Sequence, residues 1–175
     1  MSNCIKRGAF IVFEGCDRSG KTTQCRKLVE KLKTMGIPAQ QIQFPDRSTA
    51  IGKIIDDYLS KRIELTDQAV HLLFTANRWE NEPKMRELLL QGVTLVSDRY
   101  SFSGVAYSSA KPNLNLNWCQ QPESGLPKPD VVFFLKISSS CQRKGFGEER
   151  YETKEIQEQV HQNYLKLQDD TWKVS

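Results

Sequence analysis

Gly15-Cys16-Asp17-Arg18-Ser19-Gly20-Lys21-Thr22 is the stretch that decides the fold, because it fits the phosphate-binding P-loop pattern G-x-x-x-x-G-K-[ST]. Strand-forming apolar residues, 9–13, precede it, and leucine and valine recur at helical spacing in 24–33. The pattern requires this order of strand, loop and helix. We therefore expect the loop's N–H groups to surround phosphate oxygens, Lys21 to bridge the β- and γ-phosphates, and the Thr22 hydroxyl to bind Mg²⁺.

Strands and helices alternate along the rest of the chain. The apolar spacing predicts strands at 40–44, 93–97, 131–135 and from 171 onward, and helices at 51–59, from Thr66 or Asp67 to Leu90, and at 155–168. Ser48 or Thr49 can cap the first of these helices, and Pro83 should kink or interrupt the second. Continuous apolar strands are typical of parallel sheets covered on both faces. We therefore expect residues 1–175 to form one doubly wound α/β domain, with its ligands at the carboxyl ends of the strands.

Composition limits the classes of function. The chain has 175 residues and a net charge of +4, with no basic run interleaved with aromatic residues, so nucleic acid is not an expected partner. No stretch approaches the roughly 20 apolar residues of a membrane span, and no signal peptide is predicted. The five cysteines are scattered without a C-x-x-C pair, and neither histidine has a partner at metal spacing. We expect reduced thiols in a cytoplasmic protein, nuclear or mitochondrial pools being compatible with this.

Polar residues gather where predicted strands end. After the strand at 93–97, Asp98 can reach Mg²⁺ through water and Arg99 can grip a phosphate; the alternative is a helix cap beside a surface cation. Arg47 follows another strand and is either a phosphate ligand or a solvated charge. Phe74 and Arg78 lie one helical turn apart and can stack on and hydrogen-bond a base, the alternative being a core Phe beside a rim Arg.

A charged, glycine-containing segment at 142–151 is predicted to be a mobile flap. Its cations Arg143, Lys144 and Arg150 can close over a nucleotide or simply be solvated.

Several strings resemble thymidylate kinase of the eukaryotic type, and the match runs almost end to end. They are FEGCDRSGKTTQ at 13–24, FPDRS at 44–48, LLFTANRWE at 72–80, DRYSFSGVAY at 98–107 and GLPKPD at 125–130. The resemblance implies a P-loop NTPase-type, five-stranded parallel sheet flanked by helices on both faces. It also implies a homodimer through the long helices, and Mg²⁺-dependent transfer of the ATP γ-phosphoryl group to dTMP, giving dTDP.

The resemblance further implies roles for single residues. Arg18 matches the arginine that stabilises the transferring phosphoryl group, Asp17 the contact to the sugar 3′-hydroxyl, and Tyr107 an aromatic residue that crowds a 2′-hydroxyl. Arg47 and Arg99 match the arginines on the dTMP phosphate, Phe74 the ring on thymine, and Arg78 the bond to its carbonyl. The implied catalytic residues are Arg18, Lys21, Asp98 and Asp17; the ATP-binding residues Gly15, Arg18, Ser19, Gly20, Lys21, Thr22, Thr23 and Arg143; the dTMP-binding residues Asp17, Phe44, Arg47, Phe74, Arg78, Arg99, Gly104, Tyr107, Tyr151 and Gln157; and the metal ligands Thr22 and Asp98.

One departure from the family pattern and three alternatives remain at this point. Family members continue beyond the final strand with an adenine-contacting loop and a helix, whereas this sequence stops at Ser175. A chain ending there is expected to be less stable and to bind ATP more weakly. The alternatives are another P-loop nucleotide kinase, a deoxynucleoside kinase and a weakly active or inactive nucleotide-binding homologue. A GTPase-type switch is disfavoured because the sequence has no N-K-x-D string.

Overall fold

A computed structural model describes residues 6–136 and 150–174. Its elements in chain order are β1 (Phe10–Glu14), α1 (Lys21–Thr34), β2 (Ala39–Gln43), α2 (Ala50–Leu59), α3 (Asp67–Leu90), β3 (Thr94–Asp98), α4 (Ser101–Ser108), α5 (Leu116–Gln120), a 3-10 helix (Gln121–Glu123), β4 (Val131–Phe134), α6 (Lys154–Leu167) and β5 (Trp172–Val174). The strands pair in parallel in the order β2-β3-β1-β4-β5. This confirms the predicted α/β fold with a five-stranded parallel sheet.

Helices cover both faces of the sheet because successive strand side chains point to opposite sides. Val12 is fully buried in the larger core, which also contains Met85 of α3 and Val160 of α6. Its neighbour Phe13 packs in a separate cluster with Cys25 of α1. The alternation along β1 therefore places α1 on one face and the other long helices on the opposite face.

The chain order places a crevice beside β1. From β1 the chain crosses through α1 to β2 on one side, and after β3 it returns to β4 on the other side of β1. In open parallel sheets, ligands bind at the carboxyl ends of the strands where the direction of winding changes. The P-loop and the end of β3 both lie at this point.

Local signals fix most helix ends. Thr49 caps α2 and Thr66 caps α3, each accepting a hydrogen bond from a backbone N–H of the first turn, which resolves the two alternatives left by the sequence. Gly36 follows the end of α1 with a φ of 74°, and the Ile37 N–H donates to the Leu32 carbonyl, which is the pattern expected of a glycine that ends a helix.

Of the two effects expected of Pro83, a kink or an interruption, the interruption does not occur. The structure assigns one helix through Pro83, so the long helix is not interrupted there. Buried Met85 and Leu89 anchor the turns beyond the proline, and this packing outweighs one lost backbone hydrogen bond. The helix α5 and the 3-10 helix were not among the predicted elements, because they are too short to show a periodic pattern.

His71 fastens α3 to α4 and α5. The imidazole is fully buried, its Nε2–H donates to the Cys119 carbonyl at 3.0 Å, and Nδ1 accepts from the Ser108 hydroxyl at 2.8 Å. This pattern is that of the neutral ring with its proton on Nε2. Burial lowers the pKa of His71 below its ordinary value, with the Arg78 cation acting in the same direction.

We expect the stability conferred by neutral His71 to be lost under mild acid. A group with a depressed folded-state pKa contributes fully above its unfolded pKa, about 6.5 for histidine, and progressively less as the pH falls below it. Thermal unfolding at pH 7.5 and 5.5 should therefore show a larger Tm gap between the wild type and His71→Gln at the higher pH. His161→Gln is the control and should keep the wild-type pH dependence. An equal gap at both pH values would contradict the assignment.

Candidate functional site

A cavity of about 300 Å³ opens at the carboxyl ends of β1, β2 and β3. The structure brings most of the predicted site residues to its walls: Asp17, Arg18, Lys21, Thr22, Phe44, Arg47, Phe74, Arg78, Asp98, Arg99, Gly104, Tyr107 and Tyr151. They come from five separate stretches of the chain. The cavity is therefore a product of the fold, although each stretch was visible in the sequence.

The P-loop wraps closely between β1 and α1. Gly15 has a φ of 143°, and a Cβ there would lie 2.5 Å from the Leu135 carbonyl oxygen, so a side chain is excluded. Lys21 is 5% exposed, and its Nζ donates to the Cys16 carbonyl at 2.7 Å and to the Ser19 hydroxyl at 3.2 Å. Burial, together with the nearby Arg99 cation, lowers the pKa of Lys21 to about 7. An anionic phosphate at the loop would favour the charged ammonium.

Thr22 and Asp98 meet at the start of α1. The Thr22 hydroxyl donates to Asp98 Oδ2 at 2.5 Å, which places two hard oxygen donors side by side at the mouth of the P-loop. Within the described residues, no group of three or more His, Cys, Asp or Glu side chains could hold a metal. Mg²⁺ at nucleotide sites typically takes one or two protein oxygens together with phosphate oxygens and water. The Thr22–Asp98 pair fits that ligand set.

Arg99 is the central cation of the site. Its guanidinium forms an ion pair with Asp17 and donates to the Gly15 carbonyl and to the Ser103 hydroxyl, each at 3.1 Å. The Tyr107 ring centroid lies 5.2 Å from the guanidinium carbon. Asp98-Arg99 is therefore not a helix cap beside a surface cation.

Asp17 links the P-loop to α6. Gln157 Nε2 donates to its carboxylate at 2.7 Å, and Gln157 Oε1 accepts from its backbone N–H at 3.0 Å. Burial raises the pKa of Asp17, but the Arg99 and Lys21 cations outweigh burial, so the pKa lies below its ordinary value. Asp17 is therefore an anion, and its carboxylate can accept a hydrogen bond from a hydroxyl group.

Two further arginines at the cavity are paired with acids. Arg18 Nε lies 3.2 Å from Glu152, and Arg47 Nη1 lies 2.5 Å from Asp56. Asn77 of α3 holds the loop that carries Arg47, since its side chain accepts from the Asp46 N–H at 2.7 Å and donates to the Asp46 carbonyl at 3.1 Å. The sequence did not indicate that Asn77 positions this loop.

Phe74 and Arg78 share the cavity wall, but their burial is the reverse of a core Phe beside a rim Arg. Phe74 is partly exposed to the cavity, whereas Arg78 is 2% exposed. Arg78 forms a two-pronged ion pair with Glu123 of the 3-10 helix. Glu123 received no role from the sequence because it lies in a proline-rich connector.

The remaining predicted residues lie beside the cavity or outside the described part of the chain. Gly15, Ser19 and Gly20 shape the P-loop, Thr23 is exposed on the first turn of α1, and Gln157 touches Asp17. Arg143 lies outside the described residues, as does the predicted flap up to residue 149. Arg150 does not face the P-loop: its guanidinium lies 4.3 Å from the Tyr58 ring centroid and pairs with Glu64 at 2.7 Å.

Glu14 is a site residue that the sequence reasoning passed over. Its buried carboxylate accepts from the N–H groups of Tyr100 and Ser103, the Ser103 hydroxyl and the Tyr164 hydroxyl, at 2.6–3.1 Å. Burial raises its pKa above the ordinary value despite these bonds. Glu14 thus ties the start of α4, and with it the segment carrying Arg99, to β1. A charged residue closing a buried strand was the available signal.

Comparison with known proteins gives one consistent result. The chain matches the family model for thymidylate kinase over residues 13–175. It is 52% identical over 174 residues to the thymidylate kinases of Danio rerio and Homo sapiens, which is 97% of this chain and 82% of each relative. The fold is similar to that of a solved thymidylate kinase from Candida albicans, with a TM-score of 0.88 and 42% identity over 97% of this chain and 83% of that one. Within residues 6–136 and 150–174, none of the helices combines the length and apolar character needed to cross a membrane.

Proposed function

The chain belongs to the thymidylate kinase family, and we propose that its cavity holds dTMP against the P-loop for phosphorylation by ATP. It is an ATP-dependent nucleoside monophosphate kinase. In the reaction, the bond between the γ-phosphorus and the oxygen bridging to ADP breaks. A new bond forms from the γ-phosphorus to a phosphate oxygen of dTMP, giving ADP and dTDP. We take residues 1–175 as one kinase domain.

The donor side of the site consists of the P-loop and the end of β3. Lys21 contacts the β- and γ-phosphates, and Arg18 neutralises the charge on the phosphoryl group in flight. Thr22 and Asp98 would hold Mg²⁺. That cation supplies charge neutralisation between the phosphate groups when it is bound. Positioning and electrostatics of this kind provide most of the catalysis in phosphoryl transfer.

The acceptor side consists of the walls facing the P-loop. Arg47 and Arg99 grip the dTMP phosphate, which requires that phosphate oxygens compete with Asp56 and Asp17 for the two guanidinium groups. Asp17 accepts a hydrogen bond from the sugar 3′-hydroxyl, and Tyr107 narrows the space near C2′. Phe74 stacks on the thymine ring, and Arg78 donates to a thymine carbonyl.

The observation that carries this proposal is the placement of Arg47, Arg99 and Phe74 in the same cavity as Lys21 and Thr22. A deoxynucleoside kinase has no need of two arginines for an acceptor phosphate. A coupled ADP-release assay with dTMP, dUMP, dCMP, dGMP and thymidine tests the assignment. We expect dTMP to give the highest kcat/KM. Higher turnover with thymidine would overturn the acceptor-phosphate role, and no turnover with any acceptor would favour an inactive nucleotide-binding homologue.

Removing the Phe74 ring is expected to weaken dTMP binding. Phe74→Ala should cost about 1–3 kcal/mol of dTMP affinity, the usual contribution of a base–aromatic stack. Fluorescence titration with dTMP measures the effect. Phe74→Leu is the control, since it restores apolar volume without the aromatic face and should recover stability more than affinity. Unchanged dTMP affinity in folded Phe74→Ala would make Phe74 a packing residue.

We also propose a homodimer through α3. Leu72, Ala76, Trp79, Pro83 and Leu90 follow one another at helical spacing, and Leu72, Trp79 and Leu90 are 47%, 38% and 71% exposed. An apolar stripe of this kind on a long helix is typical of a helix–helix interface. Sedimentation of the wild type should give a dimer, and the double variant Leu72→Glu/Leu90→Glu should give a monomer.

The free thiols Cys16, Cys25 and Cys119 support a cytoplasmic location.

A further inference from the structure

We propose that Glu123 is a positioning residue that sets the choice of base, by fixing which edge of Arg78 faces the cavity. This inference rests on the proposed contact between Arg78 and the base. Glu123 lies on the 3-10 helix that follows α5, 45 residues along the chain from Arg78. Glu123 does not line the cavity itself, so it can act on a bound base only through Arg78.

The ion pair is buried and two-pronged. The side chains of Arg78 and Glu123 are 2% and 8% exposed. Arg78 Nε donates to Glu123 Oε2 at 2.8 Å, and Nη2 donates to Oε1. A two-pronged bond between two planar groups fixes the plane of the guanidinium as well as its position. The Thr75 hydroxyl also donates to Oε1, at 2.6 Å, and so holds the carboxylate itself in place.

Helix α4 also lies against the guanidinium. A Cβ on Gly104 would lie 2.5 Å from Nη2 and 3.1 Å from Nη1 of Arg78, so a side chain at this position would displace the guanidinium from where it lies. Arg78 is thus in contact with both Glu123 and the Gly104 turn of α4. These contacts hold the guanidinium in place and oppose its turning toward other anions of the cavity.

The pairing leaves one end of the guanidinium for the ligand. Nε and Nη2 are engaged by Glu123, and Nη1 has no hydrogen-bond partner among the described residues, while Arg78 lines the cavity. Arginine is only a donor. An Nη1 held toward C4 of the base therefore favours a pyrimidine that carries a carbonyl oxygen at this carbon. It finds no acceptor at C4 of a pyrimidine that carries an amino group there.

Glu123→Gln tests this inference. Glutamine has one acceptor oxygen, and its NH₂ group would face a second guanidinium donor, so the two-pronged bond is lost. We expect the KM for dTMP to rise about tenfold, the usual effect of losing a well-placed charged hydrogen bond, with kcat little changed. The inhibition constant of dCMP should stay near the wild-type value, so the preference for dTMP over dCMP should fall by the same factor.

Controls separate this role from a purely structural one. Glu82 also pairs with an arginine of α3, Arg86, but at the surface, so Glu82→Gln should leave both constants unchanged. Glu123→Asp keeps the charge on a shorter side chain and should show a smaller loss of selectivity, which keeps the test usable if Glu123→Gln does not fold. A fall in kcat with both nucleotides affected equally would overturn the proposal.

Arg78→Gln, measured in parallel, separates the proposed contact of Arg78 with the base from the proposed role of Glu123. If Arg78→Gln weakens dTMP binding and neither Glu123 variant changes selectivity, the contact of Arg78 with the base stands and the role of Glu123 is wrong. If Arg78→Gln leaves dTMP binding unchanged, the proposed contact with the base fails, and the role of Glu123 fails with it.

Discussion

Lys21→Met is expected to lower kcat at least about a thousandfold, because the phosphates lose their buried charge partner at the moment of transfer. Lys21 is 5% exposed and its ammonium is held by the Cys16 carbonyl and the Ser19 hydroxyl, so it is already placed before a nucleotide arrives. Preorganised charge of this kind acts on the transition state without further rearrangement. Methionine preserves the length and apolar stem of the side chain, so packing changes little. Single-turnover and steady-state ADP release both measure the loss.

Lys27→Met is the matched control for this experiment. Lys27 lies on the same helix, α1, but is exposed to solvent, so removing its charge should leave kcat unchanged. The role assigned to Lys21 would be wrong if Lys21→Met kept more than a tenth of the wild-type kcat while remaining folded.

Arg18→Ala is expected to lower kcat at least about a hundredfold, with the KM for dTMP little changed. The reason is that Arg18 is assigned to the charge that develops on the transferring phosphoryl group, and arginines in that role act mainly on the transition state. In the structure Arg18 lines the cavity and its Nε lies 3.2 Å from Glu152. Its φ of 63° holds it in the left-handed region, where it projects from the P-loop. Alanine shares the backbone strain of arginine there, so the substitution tests the side chain.

Two further variants serve as controls for the Arg18 experiment. Arg18→Lys retains the charge without the planar fork and should recover part of the lost kcat. Arg26→Ala removes an exposed arginine of α1 and should have no effect. If Arg18→Ala raises only the KM for dTMP and leaves kcat intact, Arg18 is a binding residue and the transition-state role is wrong.

The placement of Lys21 and Thr22 in the P-loop could be anticipated from the sequence because it depends on neighbours along the chain. The glycines at 15 and 20 and the lysine and threonine after them act through local backbone geometry, which a short pattern records completely. The same holds for Gly36 and for the apolar strands, whose alternation and length reflect how they are buried. The resemblance to a family then indicated which part of dTMP Phe74, Arg99 and Tyr107 would each contact. The structure places all three residues at one cavity.

Glu14, Asn77 and Glu123 could not be assigned in this way. Each is a polar side chain whose partner lies at least 31 residues away: Tyr100 and Ser103 for Glu14, Asp46 for Asn77, and Arg78 for Glu123. No spacing rule connects such pairs, since helical and strand periodicity extends only over a few residues. What makes them necessary is burial, because a polar group withdrawn from water must find a partner. Only the folded chain determines which groups are withdrawn from water and which partner lies within reach, and this is why the tertiary structure alone decided how Arg78, Arg99 and the loop of Arg47 are held.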